Sequence, residues 1–214
     1  MSTGSLKHPL FARFYTRLSA VMEPEIGEYR SELTEGLAGR VLEVGAGNGM
    51  NFSHYGGGVD EVVAIEPEPY LRERAIEAAE AATPRISVIE ASATALPFDD
   101  DSFDTVVFCL VLCSIDDPAK ALSEARRVLK PGGSMRFLEH VRSSKPAKAR
   151  FQSFLDRSGI WPRMAGGCTC SRDTVAAIRS AGFEITDLKG MPIGPRWSHT
   201  NPHVAGRAES PYGV

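Results

Sequence analysis

From residue 40 onward the chain alternates between short runs of Val, Ile, Leu and Phe and stretches whose apolar residues recur every three or four positions. The runs "RVLEV" (40–44), "EVVAIE" (61–66), "RISVIE" (85–90), "FDTVVFCL" (103–110) and "SMRFLEH" (134–140) are bounded by Gly, Pro or Asp and predict strands. Between them, "YLRERAIEAAEAA" (70–82) gathers Leu71, Ala75, Ala78 and Ala79 on one side and its charges on the other. "PAKALSEARRVLK" (118–130) does the same with Ala121, Leu122, Ala125, Val128 and Leu129 before "PGG" stops it. Strands that alternate with helices pair in parallel, because right-handed crossovers lay the helices on the two faces of the sheet. The expected class is α/β, with a doubly wound sheet.

Two parts stand outside this alternation. The stretch "HPLFARFYTRLSAVMEP" (8–24) repeats Leu10, Phe11, Phe14, Tyr15, Leu18, Val21 and Met22 at helical spacing, with Arg13 and Arg17 between them. It predicts a helix packed on the sheet edge or over a site; a membrane-surface helix is the alternative, with a thin basic face for that role. After residue 183, "FEITDL" and "HVAGRA" read as strands joined by a loop rich in Pro and Gly. Such a hairpin adds antiparallel pairing at the end of the sheet. The expectation is a mostly parallel seven-stranded sheet with an antiparallel C-terminal strand and helices on both faces. It forms a single domain, divided as a helical cap (1–36) and a main body (37–214).

At 214 residues, 43% hydrophobic and 24% charged, the chain suits one soluble core. Its net charge of −3 gives no positive field to draw nucleic acid or anionic lipid, so no nucleic-acid partner is expected and a membrane surface is not favoured. The longest apolar run, "VVFCLVLC" (106–113), falls far short of the roughly 18 residues of a membrane span and reads as a buried strand. The N-terminus has no charged segment followed by an apolar core and cleavage site, which points to a cytoplasmic protein. Cys109, Cys113, Cys168 and Cys170 are then expected to be reduced. "CTC" lacks the spacer of a zinc knuckle, and Cys109 and Cys113 fall inside the predicted strand. The expectation is buried small hydrophobes and no metal.

The first chemical signal is "LEVGAGNGMNFSHY" (42–55), with glycines at every second position behind a strand. A triphosphate-binding loop needs a Lys and then Ser or Thr after the glycines, where Gly49 is followed by Met50 and Asn51. A dinucleotide turn places its third glycine three positions after the second, which is Met50 here; the third glycine falls early, at Gly49. That spacing lets backbone approach an adenosine closely but seats a pyrophosphate poorly. Glu66, 21 positions after Gly45, supplies the acidic strand end that accepts two ribose hydroxyls at once.

Together with "ALPFDDDSFDTVVF" and "VLKPGG" at matching separations, this set resembles the class I S-adenosylmethionine-dependent methyltransferases, especially the quinone-biosynthesis group. The resemblance covers residues 37 to 209 and implies a Rossmann-like fold. It implies that Gly45, Ala46, Gly47 and Gly49 line the methionine and ribose of S-adenosylmethionine, with Glu43 just before them. Glu66 would hold the ribose hydroxyls, Pro67 and Glu68 would flank the adenine, and Ser92, Ala93 and Thr94 would face its edge. The sequence departs from the family there: an Asp is usual in that loop, and Ser92 offers a single uncharged, weaker acceptor. Cys109 and Leu110 would stand beside the cofactor, whose spent form is S-adenosylhomocysteine.

A methyl donor that is a sulfonium releases a neutral sulfide, so aligning the nucleophile at about 3–3.5 Å with water excluded supplies much of the rate. Acceptor contacts in this fold come from the ends of strands four and five, the N-terminal helix with Tyr15, and the segment between strands five and six. Cys113 stands where many relatives have a His. Glu139 and His140 close the fifth strand, and His140, with an ordinary pKa of about 6.5, is the candidate base; a strand-capping His is the alternative. His199 and His203 are further histidines with structural readings of their own. "SKPAKARFQSFLDRSGIWPRMAGG" (144–167), carrying Phe151, Phe154, Leu155, Ile160 and Trp161, reads as an apolar lid or as plain core.

A narrower resemblance appears in "LVLCSI", "FLEHV", "GGCTCSRDTVAAIRSAGF" and "PHVAGRA", which in this order are similar to the alkyl-thiol S-methyltransferases. It implies that Glu139, His140, Cys168 and His203 surround the acceptor. That family carries a hydrophobic N-terminal anchor, where this chain has only the amphipathic stretch. The reading is a methyltransferase acting on a small lipophilic acceptor, a thiol first. An oxygen, nitrogen or carbon of a secondary metabolite or quinone-like ring comes second, and a non-catalytic cofactor-binding module is the reading from another class. Gly47→Arg is expected to abolish cofactor binding in calorimetry; unchanged affinity would put the site elsewhere.

Overall fold

In the computed structural model, which describes residues 9–195 and 197–211, the apolar runs pair into one sheet. Its strands are β1 (Gly39–Val44), β2 (Val59–Ile65), β3 (Arg85–Ile89), β4 (Phe103–Cys109), β5 (Leu129–His140), β6 (Glu184–Pro192) and β7 (Pro202–Glu209). The order across the sheet is β3-β2-β1-β4-β5-β7-β6. All pairings are parallel except those of β7, which runs antiparallel between β5 and β6. The helices are α1 (Pro9–Thr34), α2 (Pro69–Glu80), α3 (Pro118–Val128), α4 (Pro146–Ser158), α5 (Ile160–Met164) and α6 (Thr174–Ser180). His8, the first residue of the predicted N-terminal helix, and the side chain of Leu10 lie outside what is described, as do 1–8 of the expected cap and 212–214 of the main body.

Strand alternation sorts the core into two layers. Leu42, Val44, Val106, Phe108 and Phe137 face α3 and α6 through Leu122, Ala125, Val128 and Ile178. Val41, Val62, Val107, Cys109 and Leu138 face α1 and α2 through Ile26, Leu33 and Ala75. By the same alternation Glu43 shares the face of Val41, and His140 that of Leu138. α2, α3 and α6 begin on acidic caps, with Glu68, Asp117 and Asp173 accepting from the amides of Leu71, Lys120 and Ala176.

Several boundaries differ from the sequence reading. α1 does not stop near Pro24 but runs ten residues further, because burial of Ile26, Arg30 and Leu33 against the sheet outweighs the backbone bond that Pro24 lacks. The run 106–113 is not one strand. β4 ends at Cys109, Leu110 takes a left-handed φ of 56°, and Cys113 lies in the turn beyond. β5 starts early, at Leu129, and "KPGG" is absorbed as a register jump between the pairs Phe103–Leu129 and Thr105–Ser134. α6 is an element the periodicity does not predict. Among the described residues no helix is long and apolar enough to cross a membrane.

Gly206 in β7 has no room for a side chain: a Cβ would collide with the Asp187 carbonyl oxygen and come within 2.7 Å of the Phe137 ring. Gly206→Ala is expected to cost about 1–3 kcal/mol in urea unfolding. Full stability in the variant would mean that the β5–β7–β6 packing is looser than described.

Candidate cofactor and acceptor site

The sheet order reverses between β1 and β4, and the crevice beyond their carboxyl ends is where such folds bind ligands. The glycine turn leaves β1 there. Gly45 and Ala46 both donate their amides to the Ile65 carbonyl, at 2.9 and 3.1 Å, which folds the turn back over the end of β2. Gly45 and Gly47 have φ of 69° and 57°, a region that side chains avoid. At Gly47 an added Cβ would stand 3.3 Å from the Tyr15 ring of α1, so this face of the turn is bare backbone roofed by an aromatic ring.

Glu66, just past β2, is buried and turned into this bend. Its Oε2 accepts from the Gly47 amide at 2.8 Å and its Oε1 from the Glu68 amide at 2.9 Å. Each oxygen keeps acceptor capacity for a further donor. Burial pushes its carboxyl up to about 7, against the pull of those two amides. Pro67 follows, and Glu68 caps α2. Beyond β3, Ser92 is exposed, and its Oγ pairs with the Thr94 hydroxyl at 2.9 Å, while Ala93 packs on the core. A carboxylate beside bare backbone is what a nucleoside with two adjacent hydroxyls requires, and the residues present fit S-adenosylmethionine.

Under the turn lies a polar network that the sequence reading missed apart from Glu43. Glu43 is 1% exposed and accepts from Tyr55 Oη at 2.6 Å and Asn51 Nδ2 at 2.9 Å. Asn51 Oδ1 in turn accepts from Arg30 of α1 at 2.6 Å, and Arg30 reaches Cys109 Sγ at 3.3 Å and Glu23 at 3.1 Å. Burial raises the Glu43 carboxyl to about 7, opposed by Tyr55 and Asn51. Burial likewise takes the Cys109 thiol to about 12, Arg30 opposing it. No motif announces Arg30; its one signal is a cation at a position where α1 would otherwise be apolar.

The residues expected around the acceptor lie on the turn after β4, the end of β5 and the loop before α6. Leu110 donates its amide to Leu138 at 2.7 Å, and Val111 and Leu112 donate theirs to Glu139 Oε1, each at 2.9 Å. Glu139 is fully buried, and its Oε2 has no hydrogen-bond partner among the described residues. Burial lifts this carboxyl to about 7, the Leu112 and Val111 amides acting against it. The Thr169 amide and hydroxyl both bond the Cys113 carbonyl, at 2.9 and 3.0 Å, and Arg172 bonds that of Ile115 at 2.8 Å. The loop is thereby stitched to the turn, and Cys113, His140 and Cys168 present their side-chain donor atoms within 4.8 Å of one another.

The Cys168 thiol holds the Cys113 pKa well above its ordinary value, with burial second. Burial disfavours charge on His140, but Cys113, Glu139 and Asp156 together outweigh it and leave the imidazole above its usual value. Cys170, the other half of "CTC", turns away to Asp156 and Gln152. His203 faces His140 across the β5–β7 pair, with ring centroids 6.1 Å apart; its Nδ1 meets the Asn201 carbonyl, and burial brings it down to about 4. Trp161 stacks edge-on against His199 at 4.1 Å, whereas Phe154 stays 60% exposed on α4 and is not gathered with the others. Tyr15 lies over the glycine turn at Gly47; burial pushes its hydroxyl up to about 12, Arg30 opposing.

A family model described as a methyltransferase domain matches residues 42–137. The chain is 33% identical over 207 residues to the thiol S-methyltransferase TMT1B of Mus musculus, covering 93% of this chain and 82% of that one. It is 28% identical over 199 residues to the demethylmenaquinone methyltransferase of Clavibacter sepedonicus, covering 80% and 76%. The N-methyltransferase NodS from Bradyrhizobium japonicum WM9, solved with S-adenosyl-L-homocysteine, has the same fold with a TM-score of 0.68 at 18% identity, over 89% of this chain and 88% of its own.

An unfolded glutamate titrates near 4.5 and Glu66 in the fold at about 7, so between these values the folded chain holds a proton the unfolded chain has released. Stability therefore rises as pH falls from 8 through 7, and Glu43 adds to this with the same sign. His203, lowered from 6.5 to about 4, acts in the opposite sense below pH 6.5. The melting temperature is expected to climb from pH 8 to pH 6.5, with a shallower slope in Glu66→Gln. An identical slope in that variant would mean Glu66 is ionised throughout.

Proposed function

The chain belongs to the class I S-adenosylmethionine-dependent methyltransferases, and within that family we propose that its acceptor is the sulfur of a small lipophilic thiol. The observation that carries this reading is the likeness, over 93% of the chain, to a protein named a thiol S-methyltransferase. The cluster of Cys113, His140 and Cys168, buried or half-buried, supports it, because a few polar groups in a buried place are what orients a small organic acceptor.

When bound, S-adenosylmethionine supplies a methyl group on a positively charged sulfur. The protein's part is positioning. Gly45, Ala46, Gly47 and Gly49 let backbone lie against the nucleoside, and Glu66 accepts from its ribose hydroxyls. Glu43 holds the turn from behind. Pro67 and Glu68, with Ser92, Ala93 and Thr94, border the adenine, and Cys109 and Leu110 close the wall at the end of β4. On the acceptor side Tyr15 excludes water, and Cys113, Cys168, His203 and Trp161 surround the acceptor; Phe154, exposed on α4, takes no part. Glu139 and His140 are the proton acceptors there. A thiol with a pKa of about 8.5 is already partly ionised near neutral pH, so it asks less of a base than an alcohol does. Residues 1–36 act as a cap on the 37–214 body, and a cytoplasmic setting keeps the thiols reduced.

The test is methylation from labelled S-adenosylmethionine across alkyl thiols, phenols, quinols and amines. Thioether products are expected. Products on oxygen, nitrogen or carbon alone would replace the sulfur reading, and cofactor binding without any product would make the chain a binding module. In the same assay His140→Ala should lower kcat by about 10²-fold, the lower end of what a positioned acid or base contributes, while cofactor affinity holds. Unchanged kcat would remove His140 from the acceptor site.

A further inference from the structure

Cys113, His140 and Cys168 come from three separate elements, 27 and 28 residues apart, yet their donor atoms converge. Cys168 Sγ lies 3.7 Å from His140 Nε2. Two ligands of one tetrahedral zinc ion, a sulfur at about 2.3 Å and a nitrogen at about 2.1 Å, stand about 3.6 Å apart. The separation from Nε2 matches that of two ligands on one ion; with Nδ1 at 3.9 Å the sulfur stands between the two nitrogens, so a rotation of the imidazole aims one of them at a shared ion. The third donor, Cys113 Sγ, is within 4.8 Å of both. Cys113 and His140 are buried and Cys168 is half-buried, and Thr169 anchors the loop that carries Cys168 to the Cys113 carbonyl. The arrangement is set by backbone bonds rather than by chance contact of long side chains.

We propose that Cys113, His140 and Cys168 form a binding site for a thiophilic d10 ion, zinc, with one coordination position open. Two thiolates balance the charge of a divalent ion, which lets it sit in a buried place, and each thiol releases its proton to solvent as the ion binds. Three protein ligands with a free fourth vertex is the pattern of catalytic rather than structural zinc. The proposal departs from the expectation of no metal, which rested on "CTC" as a local pair; only Cys168 of that pair joins the cluster.

What fills the fourth vertex rests on the thiol reading above. An acceptor thiol would lose its proton to solvent and form a sulfur–zinc bond in place of water. Its sulfur would then bond the methyl carbon as the carbon–sulfonium bond breaks, that electron pair staying with the departing sulfide. The methylated sulfur, now a neutral thioether, is a poor zinc ligand and leaves to water. A bound ion takes His140 out of the base role and does the ionising itself.

The experiment titrates the reduced, metal-stripped full chain with zinc against a chromophoric chelator, with neither cofactor nor acceptor present. One zinc per chain at sub-micromolar affinity is expected, and it should be lost in Cys113→Ser and in Cys168→Ser. Cobalt in place of zinc should give thiolate-to-metal absorption, and adding an alkyl thiol should strengthen it. Circular dichroism checks that the variants fold; Cys168→Ser, in a half-buried loop, is the safer of the two. No zinc bound by the folded wild type, or zinc retained by both folded variants, overturns the site. Because methyl transfer plays no part in the titration, its failure leaves the thiol reading standing. Zinc binding with no response of the cobalt spectrum to thiol removes the fourth-vertex assignment alone.

Discussion

The carboxyl of Glu43 is the constraint around which the binding end of the sheet is arranged. Strand alternation points it into the α1 face of the core, where an unsatisfied carboxyl would cost several kcal/mol. Tyr55, Asn51 and, through Asn51, Arg30 answer that cost, and in doing so they fix three things at once. The residues after the glycine turn cannot drift from the end of β1. α1 is clamped to the sheet near its C-terminal end. The Arg30 guanidinium is held against Cys109, at the point where β4 gives way to the acceptor side. Losing this one buried acid would loosen the turn, the helix and the strand end together.

Much of the architecture was legible because it is written in short-range periodicity. Apolar runs of the length of one strand, separated by amphipathic segments, allow few arrangements under the handedness of crossovers, and the glycine turn with Glu66 follows from local spacing. What escaped depended on tertiary partners. Nothing in "VVFCLVLC" says that the strand ends at Cys109; the stop comes from Glu139, 30 residues on, capturing the amides of Val111 and Leu112. Nor does the sequence around Pro24 reveal that α1 continues, since the compensation lies in a core it meets only after folding.

The cysteines show the same limit more sharply. Read along the chain, Cys168 and Cys170 are a pair and Cys113 belongs to a strand. In space the pair is split: Cys170 faces Asp156, while Cys168 crosses to Cys113 and His140. Spacing rules for metal ligands describe ligands that share a hairpin or a helix, and they are blind to donors that converge from a strand end, a turn and a distant loop. The fold alone says little about which acceptor is used.

Tyr15 of α1 roofs the bare face at Gly47. Any ligand that comes to lie on this backbone has to displace that ring, and the ring belongs to a helix that Arg30 ties to the sheet through Asn51. Occupancy of the glycine turn is thereby coupled to the seating of the N-terminal helix.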